Sequence, residues 1–306
     1  MDLRDIEYFA VLAEHGQLVR AAAALGLSQP ALSLSLRRLE RSAQAKLVKR
    51  TPKGVELTTV GTALLTHVRR LRLARDDLAR EVADLAQGQA GHLRVGTGPA
   101  TAEGFLPAAC STLLKDAPKL TLTVSVAANT DTLLLPALRN GELDIVVNPV
   151  AQFPRLDLVL EPLWEDEFVI YASVHHRLAK RKSVTLADLV QERWASTADS
   201  AFQAWQSLRQ SFEERGLPQP QIALVSDSVM LRHRTVASTA LLGVASRRIV
   251  EASAANLRLK IIPVRDVKWI RPVAVIYRKD GYLSPAARRF IEILKTTAKA
   301  IAAERP

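Results

Sequence analysis

Residues 17–40, QLVRAAAALGLSQPALSLSLRRLE, decide the fold. They read as two helices joined by a tight turn. The first, Leu18 to Leu25, carries an alanine cluster, Ala21 to Ala24, small enough for a second helix to cross it closely. Gly26 follows and can take the left-handed conformation that ends a helix. Ser28 opens the second helix: its hydroxyl can accept from a free backbone N–H, and Pro30 sits in the first turn, where a missing N–H does little harm. Leu32, Leu36 and Leu39 recur at helical spacing as the buried stripe. The opposite face carries Gln29, Ser33, Arg37 and Arg41, polar at its start and basic further on. Such a helix can lay its N-terminal end against base edges while its arginines reach phosphates. An ordinary helix pair with a solvated basic face has the same pattern, so its surroundings must decide.

The surroundings are basic. Between Ser28 and Arg75 stand 11 Lys and Arg against Glu40 and Glu56, a surplus of +9 out of +11 for the whole chain. Charge this concentrated is the footprint of a phosphate-binding surface. Upstream, Leu3, Ile6, Phe9, Ala10 and Ala13 share one helical face, with Asp2 as cap and Gly16 as stop, so a third helix packs under the pair. The second helix of the pair is expected to run to about Ala45. Leu47 to Thr58 then reads as a hairpin, two extended runs about a Pro/Lys/Gly turn. A hairpin tipped with Arg50, Thr51 and Lys53 beside a helix-turn-helix reads as a wing on the sugar-phosphate backbone or in the minor groove. The alternative is a plain exposed turn.

Thr58 or Thr59 caps a long helix to about Gln87. Leu57, Leu64, Leu71, Leu78 and Leu85 fall at steps of seven, with Val68 and Val82 at the second apolar position and Arg75 where another is missing. This heptad seam predicts a helix paired with its own copy, a rod of roughly 40 Å at 1.5 Å per residue. Packing against its own C-terminal domain is the alternative, but the polar remainder leaves only one narrow stripe. A twofold dimer predicts an inverted-repeat DNA site.

The sequence resembles the LysR-type transcriptional regulators. The matching residues are Leu3 to Phe9 (LRDIEYF), Ala21-Ala22, Leu27 to Ser33 (LSQPALS), Leu39-Glu40, Leu47 to Arg50 (LVKR), Leu57-Thr58 and Gly61. The resemblance is specific over about the first 65 residues and continues as a layout to the C-terminus. It implies an N-terminal all-α winged helix-turn-helix (1–58), a long dimerisation linker helix (59–88) and an α/β effector domain (91–306) with two lobes like periplasmic binding proteins. The first lobe would hold about 91–162 and 268–306, the second about 163–267, with two crossover strands as the hinge. It also implies double-stranded DNA as partner, read by Ser28, Gln29, Pro30 and Ser33 and held by Arg37, Arg41, Arg50, Thr51 and Lys53. A small effector, a carboxylate or aromatic acid, and a homodimer that assembles into a homotetramer complete the expectation.

Beyond the linker Gln87 to Gly91 the pattern alternates between strands and helices, an α/β arrangement. Strands are predicted at His92–Thr97, Leu120–Val126, Leu143–Val147, Glu167–Ser173, Gln221–Val225 and Pro272–Tyr277. Helices are predicted at Gly104–Asp116, Asp131–Asn140, Thr185–Val190, Phe202–Arg215, Ser228–Ser238 and Ser284–Ala303. The first strand ends in Thr97-Gly98-Pro99-Ala100-Thr101. This is a poor dinucleotide fingerprint and a better small-anion site at a helix start. Asn129-Thr130 and Asn148 end the next two strands, where open α/β sheets bind ligands, and Ser196 and Thr197 would face them from the second lobe. Turn and capping chemistry explains each of these residues equally well. Arg232, His233 and Arg234 are unusual on a helix whose family counterpart often lines the cleft. They are either solvated or, if one points inward, a reason to expect an acidic effector. The family's glycine-rich run is altered between Val236 and Ser246, which weakens the carry-over of ligand contacts in the second lobe.

The 306 residues are 48% hydrophobic and 24% charged, enough for two packed domains. One cysteine, Cys110, excludes an intrachain disulfide. His175-His176 reads as a structural loop, and no zinc spacing, P-loop, G-x-S-x-G or H-E-x-x-H is present, so neither a metal nor a cofactor is expected. With no apolar run near a membrane span and no signal segment, the expected location is the cytoplasm. Two rivals remain: an enzyme carrying a DNA-binding appendage, and a nucleoid-type binder whose affinity follows salt rather than sequence.

Overall fold

The computed structural model describes residues 1–52, 54–87, 91–127, 129–150, 156–197, 203–265 and 267–303. The chain forms two compact units, Met1–Arg80 and Glu81–Pro306, that meet within one long helix.

The first unit comprises α1 (Leu3–His15), α2 (Leu18–Ala24), α3 (Gln29–Ala43), the hairpin strands β1 (Val48–Thr51) and β2 (Gly54–Leu57), and the start of α4 (Thr59–Gln87). The local signals work as expected. The Asp2 carboxylate accepts from the Arg4 N–H at 2.8 Å, and Ser28 Oγ accepts from the Ala31 N–H at 3.3 Å. Gly26 turns the chain between α2 and α3 at φ 64°, in the left-handed region that favours glycine. Helix α3 stops before Ala45, because Gln44 takes φ 52° and the Gln44 and Ala45 N–H groups fold back onto the carbonyls of Arg41 and Glu40. Thr58 caps α4, its Oγ accepting from the Gly61 N–H at 3.0 Å.

Phe9, Leu12, Leu32, Leu39 and Leu47 are almost fully buried and form the heart of this unit with Ala21, Ala22, Leu65 and Val68. Each large side chain contributes about 2 kcal/mol of burial. The heptad leucines do not form one exposed seam. Leu57 lies in β2 and, with Leu64, packs against this core. Leu71, Leu78 and Val82 are 51%, 60% and 56% exposed. The first two steps of seven serve the unit's own interior, and the exposed stripe begins at Leu71. The expected Leu85 side chain lies outside the described residues.

The second unit is one nine-stranded sheet covered on both faces. Its strands are β3 (His92–Thr97), β4 (Thr121–Val126), β5 (Ile145–Pro149), β6 (Leu158–Ser173), β7 (Arg193–Ser196), β8 (Gln221–Val225), β9 (Leu242–Ser246), β10 (Leu259–Ile261) and β11 (Trp269–Arg278). Its helices are α5 (Pro99–Gly104), α6 (Leu106–Asp116), α7 (Leu135–Arg139), α8 (Gln203–Glu213), α9 (Val229–Ala237), α10 (Arg247–Leu257) and α11 (Pro285–Ala303). The order is β4-β3-β5-β11-β6-β9-β7-β8, with β10 also on β6. Parallel triplets β4-β3-β5 and β9-β7-β8 form the two lobes. In the first, Val95, Val147 and Phe290 pack on one face and Leu135, Val146 and Ala274 on the other. In the second, Trp194, Leu208 and Phe212 cover one face and Tyr171, Val236 and Val250 the other.

Strands β6 and β11 run antiparallel and join the lobes. The β6 start pairs with β11 and its end with β9 and β10. Both are longer than the expected Glu167–Ser173 and Pro272–Tyr277, because each runs through two lobes. Midway, the buried Arg271 and Asp166 form an ion pair at 3.0 Å, Ser246 Oγ donates to the same carboxylate at 2.6 Å, and the Arg271 guanidinium lies 3.8 Å from the Phe168 ring centre. Burial draws the Arg271 guanidinium down to about 10 against the pull of Asp166.

Other elements differ from the sequence reading. The helix expected over Gly104–Asp116 is broken at Phe105, where φ is −123° and ψ −48°. The helix expected over Asp131–Asn140 opens as a π turn, Thr130–Leu134. Thr185–Val190 reduces to a single 3-10 turn, Ala187–Leu189. Strands β9 and β10 and helices α5 and α10 were not expected. Phe202 of the predicted fourth helix lies outside the described residues. Among the described residues, no helix is long and apolar enough to cross a membrane.

Candidate DNA-binding surface and effector cleft

Helix α3 presents Ser28, Gln29 and Pro30 exposed at its start, with Arg37 and Arg41 exposed further along. Ser33 departs from the expected face. It is 9% exposed, and its Oγ accepts from Arg50 Nη2 at 3.4 Å, so it steadies the hairpin arginine rather than standing open. The centre of the open face is instead Leu34, 53% exposed, aligned with Pro30, Arg37 and Arg41 at steps of four, three and four. The alternation of Ser and Leu in SLSL hid this: with a turn of 3.6 residues, Ser33 and Ser35 fall beside the core while Leu34 points out.

Two buried carboxylates that the sequence reading did not single out hold the helix. Asp5, 4% exposed, accepts from Ser35 Oγ at 2.5 Å and from Arg38 at 2.7 and 3.1 Å, tying α1 to α3. The Arg38 hydrogen bond holds its carboxyl below the usual range, against the opposing effect of burial. Glu40 accepts from the Leu47 N–H at 3.0 Å and from Lys46 at 2.7 Å, tying α3 to the hairpin. Burial raises its carboxyl, but those two hydrogen bonds outweigh that and leave it lowered.

The basic surplus divides in two. Arg38 and Lys46 are used in these pairs, Arg72 bridges Glu7 and Glu14 at 2.7 Å each, and Arg75 meets Glu7 and Asp76. Arg37, Arg41, Lys49, Arg50, Arg69 and Arg70 have no carboxylate within ion-pair distance among the described residues. The first four lie on α3 and β1. The hairpin leans on the turn after α1 through a Val55 N–H to Gly16 carbonyl bond of 2.8 Å. Thr51 is half-buried, Arg50 is exposed, and Lys53 lies outside the described residues.

In the second unit, the strand ends of the first lobe converge. Asn148 Oδ1 accepts from the Gly98 N–H at 3.0 Å, and Asn148 Nδ2 donates to Thr130 Oγ. A Cβ at Gly98 would lie 2.6 Å from Asn148 Oδ1, so glycine permits the contact. Asn129 Oδ1 accepts from the Thr132 N–H at 2.8 Å. Thr97 is fully buried and donates to the Val147 carbonyl at 2.8 Å, so it braces β3 against β5 rather than presenting a free hydroxyl. Thr101 is buried, and Pro99 and Ala100 are half-buried in the first turn of α5. In the other lobe, Ser196 is buried and donates to the Thr197 carbonyl at 3.3 Å, and its own carbonyl accepts from the Ser226 N–H at 3.0 Å. Of the three unusual residues on α9, Arg232 and His233 point inward and Arg234 outward. His176 is buried, its Nδ1 accepting from the Leu178 N–H and its Nε2 3.3 Å from Glu192, a structural arrangement. Among the described residues, no cluster of His, Cys, Asp and Glu could hold a metal ion.

Comparison with known proteins agrees along the whole chain. Residues 3–62 match the model of the bacterial regulatory helix-turn-helix protein, lysR family, and residues 86–299 that of the LysR substrate binding domain. The transcriptional regulator GbpR of Azospirillum brasilense is 28% identical over 305 residues, covering 97% of this chain and 87% of the relative. The SDS degradation transcriptional activation protein of a Pseudomonas species is 32% identical over 293 residues, covering 94% and 93%. Among solved structures, a full-length OxyR variant from Pseudomonas aeruginosa has a TM-score of 0.64 at 23% identity, covering 98% of this chain and 95% of that one. Full-length CbnR complexed with its target DNA has a TM-score of 0.63 at 22% identity, covering 97% and 100%. The chain therefore belongs to the LysR family: it is a DNA-binding transcriptional regulator with an effector-binding domain, not an enzyme.

Proposed function

We propose that the protein works as a symmetric assembly that reads an inverted-repeat promoter through α3 and the β1-β2 hairpin. Residues 1–58 are the reading head, 59–88 the pairing helix and 91–306 the sensor. Gln29 and Pro30 meet base edges, with Ser28 holding the start of α3. Arg37, Arg41, Arg50 and Lys53 grip phosphates, with Thr51 beside them, and Ser33 acts through Arg50. The observation that carries this reading is the sorting of charge: the cations on α3 and β1 that lack a carboxylate partner among the described residues lie next to the exposed N-terminal turn of the helix. Phosphates are their natural counter-ions. Two copies pair along the stripe that starts at Leu71. The exposed apolar edge strands β4 (Val124, Val126) and β8 (Ile222, Val225) suit a further contact between dimers, which would give a tetramer. A small anionic effector held between the lobes, near Gly98 to Thr101, Asn129, Thr130, Asn148, Ser196 and Thr197, changes their angle and so the spacing of the reading heads. This work on the chromosome is done in the cytoplasm.

The test begins with the bound genomic fragments, which define a cognate duplex. Gln29→Ala should reduce the preference for cognate over random DNA, whereas Lys53→Ala should weaken both about equally and flatten the salt dependence. Equal losses on both duplexes for both variants would refute the division of roles.

A further inference from the structure

Arg232 is a buried cation on which Asp227 and Glu103 act from beyond ion-pair distance. It stands on α9, is 5% exposed, and its Nη1 donates to the Ser226 carbonyl. No carboxylate comes within ion-pair distance of its guanidinium among the described residues. A guanidinium carries five N–H donors, of which that carbonyl takes one. Burying a charge without a partner is costly, and proteins retain such groups where something else completes them.

The surroundings are also incomplete. Tyr171 on β6 is fully buried and its hydroxyl has no hydrogen-bond partner. The phenol end of its ring occupies the space beside Gly243 of β9, where a Cβ would sit 2.3 Å from Cζ. The hydroxyl lies close enough to Arg232 for each to feel the other's charge. His233 packs edge-on against Tyr171, ring centres 4.8 Å apart, with Nδ1 on Ser253 Oγ at 2.9 Å and Nε2 unpartnered. The position is at the strand ends that face the cleft. The Ser226 carbonyl that Arg232 holds belongs to the same residue whose N–H holds the Ser196 carbonyl, at the ends of β7 and β8. From the other lobe, Arg232 acts on Glu103 of α5, an exposed carboxylate that burial nevertheless raises.

We infer that Arg232, with the Tyr171 hydroxyl beside it, is the anchor for the effector's anionic group, and that the effector is a small carboxylate. The inference rests on the reading of the inter-lobe cleft as the effector site. It adds two positions that the strand-end residues did not include and supplies the positive charge they lack.

The test uses the full-length protein and thermal-shift titrations with aliphatic, hydroxylated and aromatic monocarboxylates, each against its amide, at constant ionic strength. The wild type should bind acids in preference to their amides. Arg232→Gln should weaken the preferred acid by about ten- to a hundredfold, as expected for a charged hydrogen bond, and Arg232→Lys by less. Tyr171→Phe should weaken it several-fold with no loss of melting temperature without ligand, since the hydroxyl has no internal partner to lose. This second variant keeps the test decisive if Arg232→Gln does not fold. Amides that bind as well as acids to the wild type would overturn the inference, as would an acid preference unchanged in both variants. If such binding still fell in Asn148→Ala, the cleft would stand and only the anchor would fall. If it survived Asn148→Ala as well, the reading of the cleft would fall with it.

Discussion

Replacing Leu71 and Leu78 together by alanine should break the proposed dimer while leaving each chain folded. The two side chains are 51% and 60% exposed on α4, so about half of each remains to be buried by a partner. Fully burying a leucine is worth about 1.5–3 kcal/mol, so half is worth about 1 kcal/mol. Two leucines on each of two chains give about 4 kcal/mol, or roughly a thousandfold in the dimer dissociation constant. Alanine is the best helix former, so the helix itself should persist. Sedimentation velocity over a wide concentration range would measure the dissociation constant, and circular dichroism would check that helicity is unchanged. Binding to a full inverted repeat should fall to that of a half-site. An assembly that stays intact at every concentration, with a dissociation constant within about threefold of wild type, would refute the pairing stripe and the arithmetic behind it.

Asp5→Ala should destabilise the first unit by about 2 kcal/mol, allowing for the half-exposed Arg38, because it strands the buried Ser35 hydroxyl; chemical denaturation of the full chain would measure this. The Asp5 carboxyl titrates below its ordinary 3.8 in the fold, so its contribution is present above that pH and is lost as pH falls through the folded value; Asp5→Asn should lack this acid step. His233 is held neutral, chiefly by burial and also by Arg232, at about 4 against an ordinary 6.5. Stability from this source is present above pH 6.5 and is lost as pH falls through about 4, on the order of 3 kcal/mol in all, and melting temperature against pH should show the loss in wild type but not in His233→Gln. Leu34 should rest on a thymine methyl in the major groove. Thymine-to-uracil replacement in the operator should then cost the wild type about fourfold, one buried methyl, and cost Leu34→Ala nothing.

Local chemistry was legible in the sequence. Ser28, Gly26 and Asp2 act within three or four residues of themselves, so their roles follow from spacing alone, and the helix-turn-helix came with them. What depends on distant neighbours was not legible. The charge count could not show that Arg38 is neutralised by Asp5 or Arg72 by Glu7 and Glu14, residues more than thirty positions away. The heptad could not show that Leu57 and Leu64 already had a core to enter, because a step of seven records a face and not what covers it. Ser33 and Leu34 exchanged roles through a rotation of one residue, finer than a four-residue polar pattern can fix. In the effector domain, Thr97 was found at the right strand end, but its hydroxyl is taken by Val147, a pairing that only the sheet reveals. The short strand β9 was missed because LGVAS is buried along its whole length and so shows no alternation.

The way β6 and β11 are fastened sets the mechanics of the sensor. The backbone enters the second lobe along one and returns along the other, and the Asp166–Arg271–Ser246 knot clamps both near a single level. Bending concentrated there would have to break a buried ion pair. Relative motion of the lobes should therefore fall to twist along the free lengths of two ribbons on either side of the clamp. A sensor built this way is expected to turn by twisting its two connecting ribbons rather than by folding at a single joint.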